Sequence, residues 1–236
     1  MARLRIRGSA GWLAVCIGLA AYAAAQSNPP VQQPRVIDAR EATRLLMNQS
    51  KPDYPAVAHD NYIQGQVQVE VIVGADGHVR KAHVLHGHPL LAASALKSVH
   101  NWVYRPFVTP SGPAPFSTLV KVVFDLSKRE HTDFPATPER DLEQQVRLPE
   151  VAEQPADPPG GSSVRLRVLV AEDGRAIDST LVSGPITLLA AAQNNLARWK
   201  FQPARWGNMT IPWYLEVTVP AENGVQSQAL AETKQH

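Results

Sequence analysis

Apolar and polar residues alternate over Val67 to Val73 (VQVEVIV) and again over Val164 to Val170 (VRLRVLV). In the first run Val67, Val69, Val71 and Val73 share one side, and a period of two predicts a strand with one buried face. Each run leads to an Asp-Gly pair, Asp76-Gly77 and Asp173-Gly174. Glycine takes positive φ there without steric cost, which predicts a hairpin into a second strand. That strand carries Val79, Ala82 and Val84, and the slip in its alternation predicts a bulge. After Gly87-His88-Pro89 the period changes: Leu91, Ala95, Val99 and Trp102 stand at i, i+4, i+8 and i+11. This is one face of a helix that Pro89 suits at its first turn, and Leu188, Ala192, Leu196 and Trp199 repeat it. Pro106 and Pro203 stop each helix from continuing. A last run places Val120, Val122, Phe124 and Leu126 on one face and Lys121, Val123 and Asp125 on the other. Leu215, Val217 and Val219 do the same in the second copy.

Sliding the sequence on itself by 97 residues aligns the two runs without a gap. Val67 falls on Val164, Val71 on Val168, Asp76 on Asp173, Gly77 on Gly174, Gly87 on Gly184, Leu91 on Leu188, Trp102 on Trp199 and Pro106 on Pro203. Such register predicts an α+β protein of two tandem ββαβ modules, each a three-stranded antiparallel sheet packed on one helix. A right-handed crossover lays the third strand beside the first, in the order 2-1-3, and leaves that third strand as an open edge. Trp102, Tyr104 and Pro106, with Trp199, Phe201 and Pro203, are expected to form a buried clasp between helix and last strand, one per module.

The flanks read differently. Arg3, Arg5 and Arg7 precede an apolar run from Trp12 to Ala25 that ends in small residues, the pattern of a signal peptide over residues 1–25, cut before Gln26. Its 14 residues would span only about 21 Å as a helix, against a hydrocarbon core of about 30 Å. An uncleaved inner-membrane anchor facing the periplasm is the alternative. Residues 26–50 form a lead with a short amphipathic helix that Asp38 can cap, with Ala42, Leu45 and Leu46 on its narrow apolar face. Residues 51–130 hold the first module and 161–222 the second. Between them, residues 131–160 carry six prolines and few apolar side chains, the composition of an acidic linker. Residues 223–236 make a polar, flexible tail.

Cleavage alters the charge balance. The formal +2 includes the three arginines of the signal, so the remaining chain has 20 basic and 21 acidic residues. A nucleic-acid partner loses its electrostatic support. The single cysteine, Cys16, leaves with the signal, so the mature chain has no thiol. The sequence has no Gly-rich phosphate loop, His-Glu-x-x-His or nucleophile elbow, and nothing in it calls for an enzyme or a cofactor. His78, His83, His86 and His88 crowd one stretch, as a zinc site would. Their counterparts in the second copy are Arg175, Thr180, Ser183 and Pro185. With no cysteine or carboxylate partner beside them, these histidines are read as polar hairpin residues, and no metal site is assigned.

The first copy resembles the TonB C-terminal domain family. The resemblance rests on "PDYPAVA" at Pro52 to Ala58, "GQVQVEVIVGADGHV" at Gly65 to Val79, "GHPLL" at Gly87 to Leu91, "WVYRP" at Trp102 to Pro106, and the terminal "VKVVFDL". The second copy keeps strands, turn and clasp but lacks the Tyr-Pro entry. The resemblance implies a periplasmic module that pairs its third strand with an extended segment of an outer-membrane transporter and takes part in energy-dependent transport. The implied peptide-binding residues are Asp53 and Tyr54 together with Thr118, Val120, Lys121, Val122, Val123 and Phe124. An anchored chain would also engage an inner-membrane motor complex. A cleaved one would be a soluble periplasmic scaffold, with two edges raising avidity for a bivalent partner. Whether the chain forms a homodimer is left open.

Overall fold

The computed structural model of the chain describes residues 33–126, 144–155 and 162–221. The expected signal peptide, most of the expected linker and the expected tail lie outside these residues. The described lead begins with strand β1 (Arg35–Val36) and helix α1 (Ala39–Leu45). Asp38 caps α1, its carboxylate accepting from the Glu41 N–H at 2.8 Å. Leu46 turns extended and ends the helix, so that Leu46 enters strand β2 (Leu46–Asn48) instead of its last turn. A single helical turn, α2 (Ala56–Asp60), follows Pro55.

The first module then runs through β3 (Gly65–Val73), β4 (Val79–His86), α3 (Pro89–His100), β5 (Val103–Tyr104), β6 (Phe107–Thr109), β7 (Gly112–Ala114) and β8 (Phe116–Phe124). Its sheet has the order β1-β8-β3-β4, the expected 2-1-3 arrangement with β1 added outside the third strand. Val73 pairs with Val79 but Ile72 with Lys81, which leaves Arg80 as the extra residue of a bulge. Val67, Val69, Val71 and Val73 are wholly buried against Leu91, Ala95, Val99 and Trp102 of the helix side. Each such valine contributes about 1.5–3 kcal/mol relative to exposure.

The second module comprises β9 (Glu150–Glu153), β10 (Ser162–Val170), β11 (Ala176–Ser183), a 3₁₀ turn (Ile186–Leu188) running into α4 (Leu189–Leu196), β12 (Lys200–Gln202), β13 (Ala204–Trp206), β14 (Met209–Ile211) and β15 (Trp213–Ala221). Its sheet has the order β11-β10-β15. The limits of β10, β11, β13, β14 and β15 fall 97 residues after those of β3, β4, β6, β7 and β8. The repeat thus includes a small hairpin, β6-β7 and β13-β14, in the stretch that the sequence pattern leaves as loop.

One expectation is corrected here. Residues 131–160 are not linker throughout, since β9 pairs antiparallel with β12 and Lys200 Nζ lies 2.6 Å from Glu153 Oε2. β2 gives β5 the same cover in the first module. Composition hides β9 because its side chains are exposed and its pairing is made by the backbone.

The modules do not stand apart. Val164, Leu166, Val168 and Val170 form a core of their own with Leu188, Ala192, Leu196, Trp199 and Phe201. Leu169, Ala204 and Ile211, however, are buried in the first module's cluster, with Trp206, Trp213 and Tyr214 packed on it.

Candidate functional site

The outer edge of β8 is the surface to which the sequence assigns binding, and the fold covers only its beginning. β1 runs parallel to it, pairing Arg35 with Phe116 and Val36 with Ser117. The Arg35 N–H donates to Pro115 O at 3.1 Å and the Ile37 N–H to Ser117 O at 2.9 Å. Buried Ile37 and the Asp38 cap hold this strap in place. The edge is therefore not open along its whole length, because the lead returns to its first two residues.

Backbone groups along a strand alternate in direction. Ser117 O faces outward to β1, so Leu119, Lys121 and Val123 also face outward, while Thr118, Val120 and Val122 face β3. The side chains of the outward residues lie on the solvent face, where Leu119 is 44% and Val123 65% exposed. Val122 and Phe124 are buried, Val120 is half-buried and Thr118 points into the core. Of the expected binding residues, Lys121 and Val123 thus offer both backbone and side chain. Thr118, Val120, Val122 and Phe124 serve the sheet and core. Leu119 is the residue the sequence reading missed; its parity with Lys121 and Val123 was the available signal.

Asp53 and Tyr54 are not brought together with that outward row. The Asp53 carbonyl accepts from Ser94 Oγ of α3, and its exposed carboxylate stands 3.7 Å from Lys97 Nζ. Tyr54 packs edge-on against Phe124 with ring centroids 5.4 Å apart, and its hydroxyl donates to Ile63 O at 2.7 Å. Burial, helped by the charge of Asp125, raises its pKa above the ordinary phenol value. Tyr54 supports the far end of β8 from the core side, so its role in the described structure is packing.

The six residues expected to form the clasp differ in burial. Trp102, Tyr104, Trp199 and Phe201 are buried, but Pro106 is exposed and Pro203 only half-buried. Each proline lies between two short strands and shapes the chain there instead of filling the core. Trp102 Nε1 donates to Ser50 O at 2.9 Å, tying the lead to α3.

Two of the four clustered histidines, His83 and His88, have structural partners. The His88 ring accepts from the Leu90 N–H at the start of α3 and meets Trp213 edge-on at 5.6 Å. His83 Nδ1 lies 3.0 Å from Asp178 Oδ1, across the seam between modules. This hydrogen bond raises the His83 pKa, against the opposing effect of burial. No group of three metal-ligating side chains converges among the described residues.

Residues 50–126 match the family model described as Gram-negative bacterial TonB protein C-terminal. No curated protein matches the chain. Among solved structures, the chain is similar to the solution NMR structure of Pseudomonas aeruginosa TonB CTD, at 21% identity and a TM-score of 0.32, over 36% of this chain and 88% of that one. The family match thus falls on the first module, residues 50–126.

Proposed function

We propose that the chain is a TonB-like periplasmic protein that binds an extended segment of an outer-membrane transporter at the edge of β8, as part of energy-dependent transport across the outer membrane. The observation that carries this reading is the outward row Leu119, Lys121 and Val123, whose amides and carbonyls have no backbone partner among the described residues. An added strand would supply those partners, and main-chain pairing of this kind gives affinity without a preformed pocket. Synthetic peptides copying the periplasm-facing segments of outer-membrane transporters test it by calorimetry. Binding that weakens tenfold or more in Lys121→Pro supports the reading, and no binding by any peptide of the set refutes it.

A second reading keeps the edge but not the transduction. The 14-residue apolar run at the start favours a signal cut before Gln26 over a membrane anchor, and a cleaved chain would act as a soluble scaffold. N-terminal sequencing of the protein from fractionated envelopes decides between them. An intact Met1 in the membrane fraction supports the transducer, and Gln26 in the periplasmic fraction the scaffold.

A further inference from the structure

A pair of three-stranded sheets has four edges: those of β4 and β11 meet at the seam, that of β15 is blunted within the second module, and that of β8 is left. We infer that this module is an intramolecular edge cap and not a second peptide-binding unit, so that the chain takes one extended segment. The inference concerns the second module; only its count of bound segments rests on the function proposed above.

The first closed edge is that of β4. In place of a backbone ladder between β4 and β11, the Asp178 carboxylate accepts from the Val84 N–H at 2.8 Å and bonds His83 Nδ1 at 3.0 Å. It also accepts from the Ser179 N–H at 2.8 Å, and its side chain is 4% exposed. A charged acceptor on an edge amide makes one of the stronger hydrogen bonds available to a protein. The position is not shared by the copies, since the counterpart of Asp178 in the first module is Lys81.

Asp178 is one end of a row. It pairs with Leu169 across β11 and β10, and Leu169 pairs with Tyr214 across β10 and β15. Leu169 is fully buried in the first module's cluster, with Tyr214 packed beside it. The corresponding row of the first module is Lys81, Ile72 and Ser117. Thus the face of the second sheet turned away from its own helix is partly spent on holding the first module.

The second closed edge is that of β15. Its register with β10 repeats that of β8 with β3, so Tyr214, Glu216, Thr218 and Pro220 face outward. Pro220 has no N–H, and its carbonyl accepts from Asn195 Nδ2 at 2.9 Å. Val123, at the matching place in β8, keeps both groups, and Ser98, matching Asn195, bonds Ser50 O instead. With Pro220 capped and the Tyr214 side chain packed at the seam, the outer row of β15 keeps Glu216 and Thr218 clear of both, one residue fewer than the three of β8. An edge with a proline and a side-chain cap is blunted as natural sheets blunt exposed edges.

Amide hydrogen exchange on the full chain tests the cap without any ligand. In the wild type the Val84 amide is expected to exchange at least tenfold more slowly than those of Leu119, Lys121 and Val123. Asp178→Ala should remove that protection, and Asp178→Asn, which keeps an oxygen acceptor, should retain most of it. Protected Leu166 and Val168 amides show that the second module stays folded in each variant. A wild-type Val84 amide as fast as those of β8, or one unchanged in Asp178→Ala, overturns the inference. For a peptide that binds, Thr218→Pro should leave one-to-one binding intact and Lys121→Pro should abolish it; the reverse result also overturns it. If no peptide binds, the edge-pairing reading falls and the exchange result alone decides the cap.

Discussion

The backbone N–H of Tyr104 donates to the carbonyl of Gly77 at 2.8 Å, joining the Asp-Gly turn to the aromatic clasp of the same module. Phe201 and Gly174 repeat the bond at 3.1 Å. Both glycines have positive φ, +83° and +79°, and a Cβ on either would lie 2.0 and 2.2 Å from the carbonyl oxygen of its partner. The two motifs that mark each copy are therefore one mechanical contact. Gly77→Ala should destabilise the protein by about 2 kcal/mol or more, from backbone strain and the forced shift of the clasp. Gly174→Ala should do likewise, and urea denaturation monitored by circular dichroism measures both.

Proline scanning of β8 should follow parity. Leu119→Pro, Lys121→Pro and Val123→Pro remove amides that face outward and should leave the thermal midpoint within a few degrees. Val120→Pro and Val122→Pro break bonds to β3 and should cost about 3 kcal/mol or more. Equal losses at both sets of positions would contradict the assigned strand direction.

His83 sets the pH dependence near neutrality. Its pKa is raised, chiefly by the hydrogen bond to Asp178, with the charges of Asp178 and Glu70 adding and burial and Lys81 opposing. The folded state therefore binds the proton more tightly than the unfolded chain does. Its contribution is fully present below the unfolded value of about 6.5 and is lost as pH rises through the raised folded value. Tyr104 and Tyr214, pushed up to about 12 by burial, stay protonated across this range. The urea midpoint should fall between about pH 6 and pH 8 in the wild type, and His83→Gln should flatten that slope.

The two tryptophans should differ although their positions match. Trp102 Nε1 has Ser50 O as acceptor, whereas Trp199 Nε1 is buried with no hydrogen-bond partner among the described residues. Trp102→Phe loses apolar area and a hydrogen bond, and Trp199→Phe loses mainly area. The first should cost about 1 kcal/mol more than the second, a difference that paired denaturation curves resolve.

Where the signal was local, the chain declared itself. Val67 to Val73 alternate because one face of β3 is buried, the Leu91 to Trp102 spacing is a helix face, and Asp38 caps α1 through a side chain three residues from its donor. A period of two or of 3.6, repeated at a fixed offset of 97 residues, determined the modules and, with the handedness of the crossover, the strand order. Tertiary structure decided which edges are free. β9 and β1 pair through backbone groups that every residue carries, so no side-chain pattern announces them. Asp178 and Val84 lie far apart in sequence and meet only because Leu169 turns the outer face of its sheet toward the first module. Leu119 shares its parity with Lys121 and Val123 in the sequence, but that this parity faces outward is decided by the pairing of β8 with β3 and β1. Periodicity reports which face of an element is buried; what lies against that face, and what closes the edge beside it, depends on contacts between residues remote in the chain.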